Sequence, residues 1–188
     1  MSLIFHPSFQ PRIDSLRRRL PHAVLLSGAA GIGLKAIAEA IAGPALYLEP
    51  LDSDGRPAPN GSISAARIRG LYEDTRSKHE RLVAIIDDAD RLTPAAQGAF
   101  LKLLEEPSPG THFILTSHQP TQLLPTIRSR VQHYKIPPIT PEQTDGLLGS
   151  LSRLSAEERA QLRFLAHGRP ALIMRYAETP ELFRAAAN

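Results

Sequence analysis

Short apolar runs alternate with stretches of helical spacing through most of the chain. Val24-Leu25-Leu26 leads into a glycine-rich turn and an Ala/Ile-rich segment that Gly43-Pro44 stops, and Ala45 to Leu48 reads as a second strand. The loop from Glu49 to Gly61 holds three prolines and two glycines, after which Ser64 is placed to cap a helix with Ile68, Leu71 and Tyr72 on one face. Leu82 to Ile86 is a continuous apolar run, the pattern of a strand buried on both faces of a parallel sheet, and acids follow at Asp87 and Asp88. Thr93-Pro94 supplies a cap and a proline for the first helical position, and Ala96, Ala99, Phe100, Leu103 and Leu104 keep helical spacing until Pro107. Phe113 to Thr116 and a shorter run, Tyr134 to Ile136, complete the candidate strands. This alternation predicts an α/β fold with a doubly wound parallel sheet.

Beyond Pro137-Pro138 only helical patterns remain. Thr140 with Gln143 and Ser155 with Glu158 each form a capping box, in which the hydroxyl bonds a first-turn amide and the longer side chain returns to the cap. The expected organisation is an α/β domain over residues 1–138 and a small helical domain over 139–188. No internal repeat or low-complexity tract interrupts it.

Composition narrows the chemistry. Hydrophobic residues at 42% and charged residues at 22% suffice for an ordered core in a chain of 188 residues. The absence of cysteine excludes disulfides, thiolate nucleophiles and cysteine-ligated zinc, and the seven histidines are scattered, so no metal site is expected. No run approaches the roughly 20 apolar residues that cross a bilayer, and the N-terminus lacks a signal-peptide layout, so the expectation is a cytoplasmic protein with no membrane partner. A net charge of +3 and a pI near 9.5 are compatible with nucleic acid or an acidic partner without pointing to either. Arg17-Arg18-Arg19 fits a helix C-terminus, where cations meet the negative end of the dipole, as well as a phosphate patch.

The segment from Gly28 to Ala36 lies between a strand and a helix, the context in which backbone amides converge on phosphates at a helix N-terminus. Gly28, Gly31 and Gly33 give the loop its freedom. The working phosphate-binding motif is G-x-x-x-x-G-K-[ST]; here Leu34 holds the lysine position, Lys35 the hydroxyl position, and Ala36 offers no hydroxyl. Either the turn serves helix packing, or a one-residue shift brings Lys35 to the phosphates.

Three further blocks carry a family resemblance: Asp87-Asp88-Ala89-Asp90, Leu101-Lys102-Leu103-Leu104-Glu105-Glu106-Pro107-Ser108, and Leu124-Pro125-Thr126-Ile127-Arg128-Ser129-Arg130. Together, from about His22 to Pro138, they resemble the AAA+ subunits of the bacterial DNA polymerase III clamp loader, of the delta-prime type. The resemblance implies a P-loop-like core with a parallel five-stranded sheet, followed by a helical lid. It makes Asp87 the acid that supports magnesium and sets Asp88, one methylene shorter, where the family's glutamate orients the attacking water. A retracted carboxylate loses positioning, which points away from catalysis. Ser117, next to His118, falls at the first sensor, and Arg169 adjoins Gly168 where the family places an arginine three positions after the glycine.

Arg130 takes the place of the family's arginine finger, which acts in trans on a neighbour's ATP; a structural salt bridge is the other reading, and Arg128 is a weaker candidate. A planar, permanently charged guanidinium suits γ-phosphate oxygens as charge builds. Val131 replaces the cysteine that follows this arginine in the family.

The resemblance therefore implies a stator that has lost magnesium-ATP binding, with no cofactor of its own. Its expected partners are gamma/tau and delta subunits and, through the complex, the sliding clamp and primer-template DNA. An active gamma/tau-like ATPase using Lys35 and a DNA-binding module outside a loader are the competing expectations. The family's four-cysteine zinc module is missing, and its collar-forming C-terminal domain is expected to be absent.

Overall fold

The computed structural model describes residues 3–75 and 80–179; the end of the expected helical domain, 180–188, lies outside the described residues. By internal contacts the described residues fall into two compact units. Those within Met1–Pro11, Gly28–Gly33 and Ile136–Asn188 make one, and those within Arg12–Ser27 and Leu34–Lys135 make the other.

The larger unit is the α/β part. Its strands are β1 (Ala23–Ser27), β2 (Leu46–Leu48), β3 (Leu82–Ile86), β4 (Thr111–Ser117) and β5 (Gln132–Lys135), all parallel, in the order β2-β3-β4-β1-β5. Helix α1 (Gln10–Arg18) precedes β1, and α2 (Leu34–Ala42), α3 (Ala65–Thr75), α4 (Pro94–Glu105) and the single turn α5 (Pro125–Arg128) connect the strands. Because strand side chains alternate, Leu25, Ala84, Ile86, Phe113 and Leu115 share a core with Ile68 and Leu71 of α3 and Phe100, Leu103 and Leu104 of α4. The other set, Val24, Leu26, Val83, Ile85 and Ile114, is also buried, and α2 packs on β1, β3 and β4 with Ile37, Ala38 and Ile41 inward. The sheet is thus covered on both faces, which is why its central strands read as unbroken apolar runs.

Local signals act as their chemistry requires. The Thr93 hydroxyl accepts the Ala96 amide with Pro94 at the first helical position, and Gly43, at φ 71°, ends α2 with its amide on the Glu39 carbonyl. Arg17 and Arg18 close α1, and Arg17 Nε donates to the Ala40 carbonyl at 2.7 Å.

Two expectations need correction. Tyr72 is 39% exposed and does not join Ile68 and Leu71 in the core. The last strand is β5, Gln132–Lys135, two residues earlier than the apolar run Tyr134 to Ile136. An edge strand needs no apolar run, and the register Val24↔Gln132 to Ser27↔Lys135, with a 2.7 Å bond between Ser27 Oγ and His133 Nε2, places it.

The second unit holds α6 (Pro141–Ser150), α7 (Ala156–Ala166) and α8 (Pro170–Glu178) around Leu147, Leu148, Leu154, Leu162, Ala166 and Ile173. Both capping boxes form, and Ile4 packs against this core while Gln143 Nε2 donates to the Phe5 carbonyl at 3.0 Å. No described helix is long and apolar enough to cross a membrane.

Candidate functional site

The parallel register brings the C-terminal ends of β2, β3 and β4 side by side. Leu48 pairs with Ile86 and Ile86 with Leu115, so Glu49, Asp87 and the Thr116-Ser117-His118 segment emerge as neighbours. In such sheets ligands collect outside the carboxyl ends of the strands. Thr116 Oγ1 donates to Asp87 Oδ1 at 2.7 Å and accepts the Asp88 amide at 2.9 Å. Ser117 Oγ donates to Asp90 Oδ1 at 2.6 Å, and the His118 amide reaches the same oxygen at 3.1 Å. Two β4 hydroxyls therefore hold the acidic turn, and the fully buried Ser117 side chain is engaged by Asp90.

Asp88 occupies the left-handed region at φ 47°, with His118 Nε2 3.6 Å from its Oδ1. Burial pushes its carboxyl above the ordinary range, the charges of Asp87 and Asp90 add to that, and those of His118 and Arg91 oppose it.

Lys35 stands in the first turn of α2, and its Nζ lies 3.1 Å from Glu49 Oε2 and 4.0 Å from Asp87 Oδ2. The Arg67 guanidinium donates to the Glu49 carbonyl and fixes that acid's backbone. Burial pulls the Lys35 pKa down, but the hydrogen bond and charge of Glu49, with Asp87 and Glu39 behind it, outweigh this and raise it. Leu34 is buried, 3% exposed.

The glycine loop is described with the helical unit. Gly31, at φ 88°, passes so close to α8 that an added Cβ would lie 2.7 Å from Leu172 Cβ, and the Leu172 amide donates to the Gly31 carbonyl at 3.1 Å. The Ile32 amide is used within the turn, donating to the Ala29 carbonyl at 3.1 Å. Arg169 donates from Nε to the Ala166 carbonyl at 2.7 Å and from Nη2 to the Leu165 carbonyl at 2.8 Å, closing the end of α7, while Ala171 sits three positions after Gly168. The residues present do not fit a magnesium-bound triphosphate: the lysine position is apolar and buried, and the hydroxyl position holds an ion-paired lysine. Among the described residues no group of three or more His, Asp or Glu side chains is arranged to hold a metal ion.

Arg130 follows α5. Its Nη1 donates to the Thr126 carbonyl at 3.0 Å and its Nη2 pairs with Glu105 Oε1 at 2.9 Å, with both side chains substantially exposed. Arg128 is exposed two residues earlier. What holds this segment was missed in the sequence. Gln97 of α4, 6% exposed, accepts the Leu124 amide at 2.7 Å and donates to the Gln122 carbonyl at 3.2 Å. The available signal was a polar residue on the stripe that continues through Phe100 and Leu104. Glu49 and Thr116 were also passed over, the one as the start of a loop and the other as the end of a strand.

The sequence is similar to those of known replication proteins. The family described as "DNA polymerase III, delta subunit" matches residues 48–140. DNA polymerase III subunit delta' of Pseudomonas aeruginosa is 30% identical over 185 residues, covering 85% of this chain and 56% of that protein. The Bacillus subtilis delta' subunit is 32% identical, covering 74% and 51%. The chain belongs to the clamp-loader family, delta-prime type. It spans about half the length of these delta' relatives. Within the wider family, the Mycobacterium tuberculosis gamma/tau subunit is 33% identical over 71% of this chain and 27% of its own length. Among solved structures, the Thermotoga maritima Holliday junction branch migration motor RuvB has a TM-score of 0.67 at 16% identity, over 91% of this chain and 58% of that one. A DNA polymerase III gamma subunit-related protein from the same organism has a TM-score of 0.57 at 22% identity, over 89% and 70%. The fold is that of AAA+ P-loop proteins.

Proposed function

We propose that this chain acts in DNA replication as a delta-prime-like subunit of the DNA polymerase III clamp loader, a cytoplasmic stator that hydrolyses no ATP and lends Arg130 to ATP held by a neighbour. The observation that carries the ATP-independent part is Leu34: the position that needs a phosphate-contacting lysine is occupied by a side chain turned into the core. Arg130 supports the second part, because its bond to the half-exposed Glu105 is a surface ion pair that a phosphate can outcompete. The partners in this reading are gamma/tau and delta subunits, with the sliding clamp and primer-template DNA reached through the assembly.

The test is a loader reconstituted with its partner subunits. Arg130→Ala should leave the fold intact and lower the partner's clamp- and DNA-stimulated ATPase by about 10³-fold, less if other fingers compensate. Calorimetric titration of the isolated chain with magnesium-ATP should show no binding. Unchanged loader ATPase in Arg130→Ala refutes the trans assignment, and micromolar ATP binding strengthened by magnesium refutes the inactive site.

A further inference from the structure

Asp87 and Glu49 extend from adjacent parallel strands, because the β2–β3 register ends on Leu48↔Ile86. Two carboxylates so placed repel each other unless a cation lies between them. In a working P-loop site the acid at the Asp87 position and the loop hydroxyl hold magnesium, which needs oxygen ligands near 2.1 Å in octahedral array and usually retains water and phosphate oxygens. Here the residue at the hydroxyl position is itself a cation. Lys35 Nζ lies 3.1 Å from Glu49 Oε2 and 4.0 Å from Asp87 Oδ2, and Asp87 Oδ1 takes the Thr116 hydroxyl at 2.7 Å. Both Asp87 oxygens are thereby engaged. The ammonium also stands 5.8 Å from the centre of the Tyr47 ring, a third electron-rich neighbour.

We propose that the Lys35 ammonium is a resident cation that takes the place of a divalent ion at Asp87, neutralising the Asp87 and Glu49 strand ends without metal or nucleotide. The inference rests on the reading of the chain as an ATP-independent subunit and gives that reading a physical device. The ammonium is covalently delivered by α2, so it needs no ligand concentration to stay. A +2 ion approaching Asp87 would meet a fixed positive charge at close range and would have to break the bond to Glu49. Lys35 is half-exposed, so the site is closed by charge and not by burial.

The experiment uses the full chain and manganese as the probe, counting bound ions by electron paramagnetic resonance. The wild type should bind manganese at Asp87 only weakly. Lys35→Ala, and Lys35→Met with its similar length and no charge, should each gain an Asp87-dependent site about tenfold tighter or more, lost again when Asp87→Asn is added. Manganese binding to the wild type as tight as to Lys35→Met overturns the proposal, and so does its absence from wild type and both variants alike. A parallel magnesium-ATP titration separates the two ideas. ATP binding by the wild type sinks the ATP-independent reading itself, whereas no ATP binding together with no gain of manganese in the variants sinks only the role of Lys35.

Discussion

Gln97→Met tests how the Arg130 segment is held in place. Methionine keeps the length and most of the volume of glutamine, so packing changes little. It removes the amide that accepts the Leu124 N–H at 2.7 Å and donates to the Gln122 carbonyl at 3.2 Å; a third approach, to the Leu92 carbonyl at 3.4 Å, is too long to count fully. A buried donor or acceptor left without its partner costs about 1–3 kcal/mol. Two such groups set an upper range near 6 kcal/mol, but the Leu124 residue is 38% exposed and water can reach part of the freed segment, so we expect about 2–3 kcal/mol. For a chain of 188 residues each kcal/mol moves the melting temperature by about 2–4 °C, which gives a fall of about 4–12 °C. Urea unfolding measures the first quantity and calorimetry the second. Native-state hydrogen exchange adds the local readout: the Leu124 amide should lose at least about tenfold protection while the β1, β3 and β4 amides keep theirs relative to the new global stability. Stability within about 0.5 kcal/mol of wild type, with Leu124 protection unchanged, would refute the argument that this amide pins the loop.

Other outcomes follow from the same geometry. Gly31→Ala adds a methyl 2.7 Å from Leu172 Cβ at a residue with φ 88°, so it should destabilise the helical unit by about 2 kcal/mol or more, read as faster exchange in α8; a neutral effect would remove the packing account of this glycine. Asp88 has a folded pKa raised above its ordinary 3.8, so its charge opposes folding. That cost is absent below the unfolded value, grows as pH rises through the folded value, and is complete above it. Asp88→Asn, which tolerates φ 47°, should therefore be more stable than wild type at pH 7, with the advantage shrinking as the pH falls toward 3.8; a less stable variant at pH 7 contradicts the burial argument.

By itself the sequence determined the periodic parts of this protein. Leu82–Ile86 matched β3 residue for residue and α4 began at the Thr93 cap, because burial on both faces, helical spacing and capping hydroxyls are written locally. Its motif blocks were sufficient to identify the clamp-loader resemblance, and Leu34 in the lysine position was legible as a departure without any coordinates. Tertiary structure alone decided what depends on register and partners. The edge strand β5 is placed by pairing with β1, so its polar residues carried no signal, and Tyr72 lies outside the core although it stands four residues after Ile68, the spacing of one helical face. Gln97 gains its meaning from two backbone groups that are 25 and 27 residues away in the chain. The same holds for Lys35, which reads as a misplaced motif residue until the β2–β3 register sets Glu49 beside Asp87 and gives its charge two partners. Local patterns specify elements, whereas long-range pairing specifies which charges and polar groups must satisfy one another.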